Sequence, residues 1–170
     1  MPILDARSFE MVSHSDEQTQ RIGARLGALL PMHMVIALIG QMGAGKTHLS
    51  KGVGVGWGAD QPLRSPTFTL VQEHHRTTDR AMLYHIDLYR AERTADLHGI
   101  GLEEIFDDDQ AVTLVEWAER AEAMLPPDTL RIQIDVASPT KRQITFSTQS
   151  EQTWQLLQAL RKDVFGISRK

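Results

Sequence analysis

The stretch HMVIALIGQMGAGKT, His33 to Thr47, decides the fold. Its first part, HMVIALIG (33–40), is almost wholly apolar, as expected of a strand buried on both faces of a helix-covered sheet. Its second part, GQMGAGKT (40–47), satisfies the pattern G-x-x-x-x-G-K-[ST] without deviation. Gly40 and Gly45 let the backbone curl until several N–H groups point at one anion, and the helix that follows adds its positive end. In such a P-loop Lys46 reaches the terminal phosphates of a nucleotide, and Thr47 offers its hydroxyl to Mg²⁺. An apolar strand before the motif and a helix-compatible KTHLSKGV after it supply the context the motif needs.

Working outward, SFEMVS (8–13) reads as a short strand and SDEQTQRIGARLGALL as a helix. Ser15 and Gln18 have the spacing of a capping box. Ile22, Leu26, Leu29 and Leu30 fall on one helical face, and Pro31 stops it. The helix after the P-loop is expected to fray at Gly52, Gly54, Gly56 and Gly58, since each glycine costs a helix about 1 kcal/mol relative to alanine. ADQPLRSPTF is loop. TFTLVQEHH (67–75) and AMLYHIDLY (81–89) are β-rich and joined by the short polar RTTDR, a hairpin signal. RTADLHGIGLEEIFDDD reads as broken helix, and AVTLVE (111–116) as another buried strand. TLRIQIDVA (129–137) and RQITFST (142–148) form a closing hairpin, and SEQTWQLLQALRKDV ends the chain as an amphipathic helix. The class is therefore α/β: a P-loop mixed sheet flanked by helices, with antiparallel hairpins, in one domain over residues 1–170 whose helix near 150–165 packs on it.

The bulk numbers agree. A chain of 170 residues with 41% hydrophobic and 24% charged residues has the balance of a globular domain. No apolar run approaches the roughly 18 residues that would span a bilayer, and MPILDARSFEMVS does not have the form of a signal peptide. With no cysteine, disulfides, thiolate metal sites and cysteine nucleophiles are excluded. The expected location is cytoplasmic. A net charge of −4, with only the final ISRK locally basic, argues against gripping a nucleic-acid backbone unaided.

A nucleotide–magnesium site needs acidic oxygens near the metal, usually from the end of a neighbouring strand. Asp87 ends MLYHID and Glu116 ends VTLVE. Glu116 stands where an Asp is more common, and is long enough to bind metal through water or to orient an attacking water. RSPTF (64–68) offers Ser65 and Thr67 around Pro66. It is either a proline turn leading into a strand or a loop that senses a γ-phosphate. His74, His75 and His85 are expected to face solvent, and DDD (107–109) to be a solvated loop. Trp117 is a candidate for stacking on a base or for a partner interface, or simply a core or rim aromatic. Trp57 and Trp154 read as packing residues.

Four segments in this order, GQMGAGKT, SPTF (65–68), HIDLYR (85–90) and VEW (115–117), resemble the bacterial tRNA threonylcarbamoyladenosine biosynthesis ATPase family TsaE, also called YjeE. The resemblance covers about residues 8 to 136. It implies a P-loop α/β fold and an ATPase that is weak alone. The family acts with TsaD and TsaB, which place threonylcarbamoyl on N6 of adenosine 37 in tRNAs reading ANN codons, so tRNA is met only through partners. It implies ATP and Mg²⁺ as cofactors, catalytic roles for Lys46, Asp87 and Glu116, and metal contacts by Thr47, Asp87 and Glu116. The nucleotide-binding set it implies is Gln41, Met42, Gly43, Ala44, Gly45, Lys46, Thr47 and His48, with Thr19, Ser65, Thr67 and Trp117. Gln41 and Met42 replace the acid and leucine usual in the family, and His48 replaces a second Thr or Ser. Gln41 removes one negative charge near the phosphates. The competing reading is a small-molecule kinase, with Arg90 and Arg93 on a lid. The guanine-reading N-K-x-D of a GTP switch is absent from the chain.

Overall fold

The run that opens the sequence reading becomes the middle of a seven-stranded sheet. In the computed structural model, which describes residues 7–65 and 70–165, strand β2 (Met34–Ile39) lies fourth in the order β1-β7-β6-β2-β5-β4-β3. Here β1 is Arg7–Ser13, β3 Val71–His75, β4 Met82–Asp87, β5 Ala111–Glu116, β6 Leu130–Val136 and β7 Arg142–Thr148. The four inner strands β6, β2, β5 and β4 run parallel, while β1, β7 and β3 pair antiparallel at the two edges. The short RTTDR link does make a hairpin, so a phosphate-binding βα unit and an antiparallel edge share one sheet.

Strand β2 is apolar throughout because both its faces are covered. Ile36 and Leu38 join the larger core with α1 (Asp16–Leu29), α2 (Lys46–Trp57) and α5 (Glu151–Phe165). Val35 and Ala37 join the opposite core, formed with α3 (Thr94–Gly99), α4 (Leu102–Phe106) and a 3-10 helix, Ala118–Met124. Helix α5 seals the first layer through Leu157 and Leu160, with Trp154 beside Phe9. The start of α1 is capped as its sequence indicates: the Ser15 hydroxyl accepts from the Gln18 N–H at 3.0 Å. The Gln18 side chain reaches back one residue farther than expected, accepting from the His14 N–H at 2.7 Å.

Helix α2 does not fray at its glycines. It continues to Trp57 and ends on Gly58 at φ 93°. A Cβ on Gly52 would lie 2.0 Å from the Gln20 carbonyl oxygen, and one on Gly56 would lie 1.8 Å from that of Ala24. On α1, a Cβ on Gly23 would lie 2.4 Å from the Leu49 carbonyl oxygen and one on Gly27 2.2 Å from that of Val53. Two glycine pairs spaced by four residues thus let the helices touch backbone to backbone. The packing gained offsets the propensity lost, which counting glycines along one helix does not capture.

Candidate functional site

All the acidic and phosphate-binding candidates from the inner strands converge at their carboxyl ends, where open α/β sheets place their ligand sites. The P-loop leaves β2, turns through Gly43 at φ 79° and Gly45 at φ 110°, and enters α2 at Lys46. Both glycines occupy the left-handed region that a side chain disfavours. Gly40 is required for another reason: a Cβ there would meet the Ile134 carbonyl oxygen at 2.6 Å. The Gln41 and Met42 side chains are exposed, and Ala44 is fully buried. Lys46 is buried and donates to the carbonyl oxygens of Gly40 and Gln41, the latter at 2.9 Å. Burial pushes its ammonium pKa below the ordinary lysine value, opposed by the charges of Glu116, Glu119 and Asp87.

Strands β4 and β5 bring the two acids side by side, for Asp87 and Glu116 are register partners. Glu116 is 2% exposed and held at both oxygens. The Thr47 hydroxyl donates to Oε1 at 3.1 Å, and His85 Nε2 lies 2.7 Å from Oε2. Asp87 is more open, accepting from the Ser65 hydroxyl at 3.2 Å and from the Tyr89 N–H at 2.9 Å. Ser65 therefore reaches the site. Thr67, with the rest of residues 66–69, lies outside the described residues, as do the terminal ISRK and the first six residues.

Trp117 follows Glu116 in a left-handed conformation, φ 57°, that is costly for a bulky residue. It turns the indole over the site, with Lys46 Nζ 4.4 Å from its ring centroid. Tyr89 and Arg120 pack on its other surroundings, at 5.1 and 5.6 Å. Thr19 is placed differently: it is buried, and its hydroxyl is shared with the Ser13 hydroxyl at 2.7 Å and the Ser15 carbonyl at 3.2 Å. His48 sits in the first turn of α2 within 3.3 Å of the Gln20 amide. Of the kinase-lid arginines, Arg93 is spent at the start of α3 on Asp96, 3.7 Å away.

Two expectations fail here. His74 and His85 are buried, 7% and 0% exposed, and do not face solvent. Strand β3 pairs along the edge of β4, and the β4–β5 register carries His85 to the same face as Glu116, so the histidine becomes the partner of the acid. No local signal marks the pair, since His85 lies two residues before the end of β4 and meets Glu116 only through the β4–β5 register. The other missed residue is Arg142, at the start of β7. Its Nε donates to the Ala44 carbonyl at 3.0 Å, from a segment in which the sequence displays no motif.

The geometry is matched by likeness to known proteins. Residues 13–144 match the family model of the threonylcarbamoyl adenosine biosynthesis protein TsaE. The chain is similar to the tRNA threonylcarbamoyladenosine biosynthesis protein TsaE of Treponema pallidum (strain Nichols), 38% identical over 134 residues, 79% of this chain and 96% of the relative. The protein of the same name in Bacillus subtilis (strain 168) is 39% identical over 132 residues, covering 77% and 80% of the two chains. The backbone is similar to the crystal structure of YdiB from Bacillus subtilis, with a TM-score of 0.74, 30% identity, and 93% and 97% of the two chains covered. With the match extending from the end of β1 into β7, and so taking in the P-loop and both acids, the chain belongs to the TsaE family.

Proposed function

We propose that this chain is the ATP-binding and hydrolysing component of the machinery that makes N6-threonylcarbamoyladenosine at position 37 of tRNA. It works in the cytoplasm as one ATPase domain over residues 1–170, with homologues of TsaD and TsaB. The observation that carries the reading is the Thr47–Glu116–His85 chain, which puts a hydroxyl and an oriented carboxylate directly at the mouth of a P-loop. These are hard oxygen donors, the kind Mg²⁺ takes in ones and twos beside phosphate oxygens and water. Bound there, Mg²⁺ would neutralise the charge on the phosphates.

The chain's own residues account for the rest. The loop N–H groups and Lys46 hold the β- and γ-phosphates, and Trp117 confines the lysine from above. Glu116, with Oε2 held by His85, presents Oε1 to the metal side with Thr47. Asp87, more open and linked to Ser65, orients the attacking water and joins hydrolysis to the loop that follows α2. Gln41 has its side chain in solvent, so it lends the loop its carbonyl and not its chemistry. The net charge of −4 suits a component that leaves tRNA to its partners.

The test is recovery of partners and product from the protein's own cells. The tagged chain should capture TsaD and TsaB homologues in an ATP-dependent manner. Glu116→Ala should still bind ATP but fail to support the tRNA modification. Loss of partner capture under all nucleotide conditions, or full modification with Glu116→Ala, would overturn the proposal.

A further inference from the structure

Arg142 is the first residue of β7, with its backbone pinned between Ser13 of β1 and Val136 of β6. Its guanidinium leaves the sheet toward the P-loop. Nε donates to the Ala44 carbonyl at 3.0 Å, and Nη2 to the Gly43 carbonyl at 3.4 Å. Nη1 donates backwards, to the Ser138 and Lys141 carbonyls, each at 3.1 Å, in the turn between β6 and β7. Arg142 forms no ion pair with a carboxylate among the described residues.

A phosphate cradle of this type works only if successive N–H groups face inward. The carbonyls of the same peptides must then face outward, and a buried carbonyl without a donor is costly. Ala44 is fully buried, so its carbonyl cannot turn to water. We propose that Arg142 is a positioning residue of the phosphate site: it holds the Ala44 carbonyl outward, so that the Gly45 N–H of the same peptide faces the anion, and it steadies the Gly43 carbonyl, whose peptide partner, the Ala44 N–H, donates to the Gln41 carbonyl at 3.1 Å. It also ties that loop to the β6–β7 turn. A guanidinium suits the task, because its planar fork fixes donors in two directions, where the donors of an ammonium turn freely on a flexible stem. The proposal rests on the reading of this loop as a nucleotide site.

The test is calorimetric titration of ATP–Mg²⁺, and separately of inorganic triphosphate, into wild type, Arg142→Met and Arg142→Lys at a temperature where all are folded. Arg142→Met should lose about tenfold in affinity for both ligands, the equivalent of one charge-assisted hydrogen bond. Arg142→Lys should fall between it and wild type. In steady-state hydrolysis KM for ATP should rise by a similar factor with kcat nearly unchanged. A merely structural arginine would lower the melting temperature of the free protein and leave triphosphate affinity alone, and that result would overturn the proposal. If Arg142→Met does not fold, wild-type affinity in Arg142→Lys would overturn it equally. Wild type that binds neither ligand would refute the nucleotide reading itself, a failure distinct from that of the clamp.

Discussion

Glu116 illustrates how much a single side chain depends on its neighbour. A free glutamate side chain at a strand end samples several rotamers, whereas its role requires one. The 2.7 Å contact with buried His85 removes that freedom by fixing Oε2, which leaves Oε1 toward Thr47. To donate to a carboxylate, His85 must carry a proton on Nε2; its buried Nδ1 has no hydrogen-bond partner among the described residues. On the proposed reading of Glu116 as a carboxylate beside the metal, an outer partner of this kind contributes about 10–100-fold in activity or metal affinity. We predict that His85→Ala lowers kcat for ATP hydrolysis, or raises the Mg²⁺ concentration needed for half-activity, by about that factor. His85→Gln, which retains a donor, should recover part of the loss. Nucleotide binding without Mg²⁺ should be unaffected, and hydrolysis at the wild-type rate in His85→Ala would assign the orientation of Glu116 to Thr47 alone.

Between elements, the contact of α1 with α2 inverts the usual rule for glycine. Propensity alone says that Gly56→Ala strengthens a helix by about 1 kcal/mol. The structure says that the added methyl would sit 1.8 Å from the backbone of Ala24, an atom that cannot yield without separating the helices. We predict that Gly56→Ala destabilises by about 2 kcal/mol, the scale of overpacking a filled core, read as a lower urea midpoint. A raised midpoint would show that the helices separate at little cost. This contact also marks the limit of what the sequence discloses. Strands β2 and β5 were legible because continuous apolar runs have one reading in an α/β chain, and the P-loop because its residues are local to each other. Gly23, Gly27, Gly52 and Gly56 look like defects along their own helices and like a fit only across two of them. His85 and Arg142 were illegible for the same reason, since their partners lie 31 and 98 residues away.

At the scale of the molecule, the sheet order sets the P-loop end and the buried histidine of the edge strand on one continuous face. From β5 to β3 this face carries Glu116, then His85, then His74. His74 is buried on the edge strand, and its Nε2 has no hydrogen-bond partner among the described residues. Burial, above all, holds its pKa below the ordinary histidine value. Neighbouring His85 and His75 act in the same sense, and Asp60 opposes them. The sign follows directly: the native state favours neutral His74, while the unfolded chain protonates near its ordinary value of about 6.5. Above that pH neither state binds the proton and the stability is fully present. As pH falls below it, the unfolded state takes up a proton that the native state refuses, and stability drops until the native pKa is reached. We predict a lower urea midpoint at about pH 5.5 than at about pH 7.5, with a smaller difference in His74→Gln, which cannot protonate. An equal difference in the two proteins would place the acid sensitivity at another group. The outcome matters for the site as well, because β3 pairs with the strand that carries His85, and His85 holds Oε2 of Glu116.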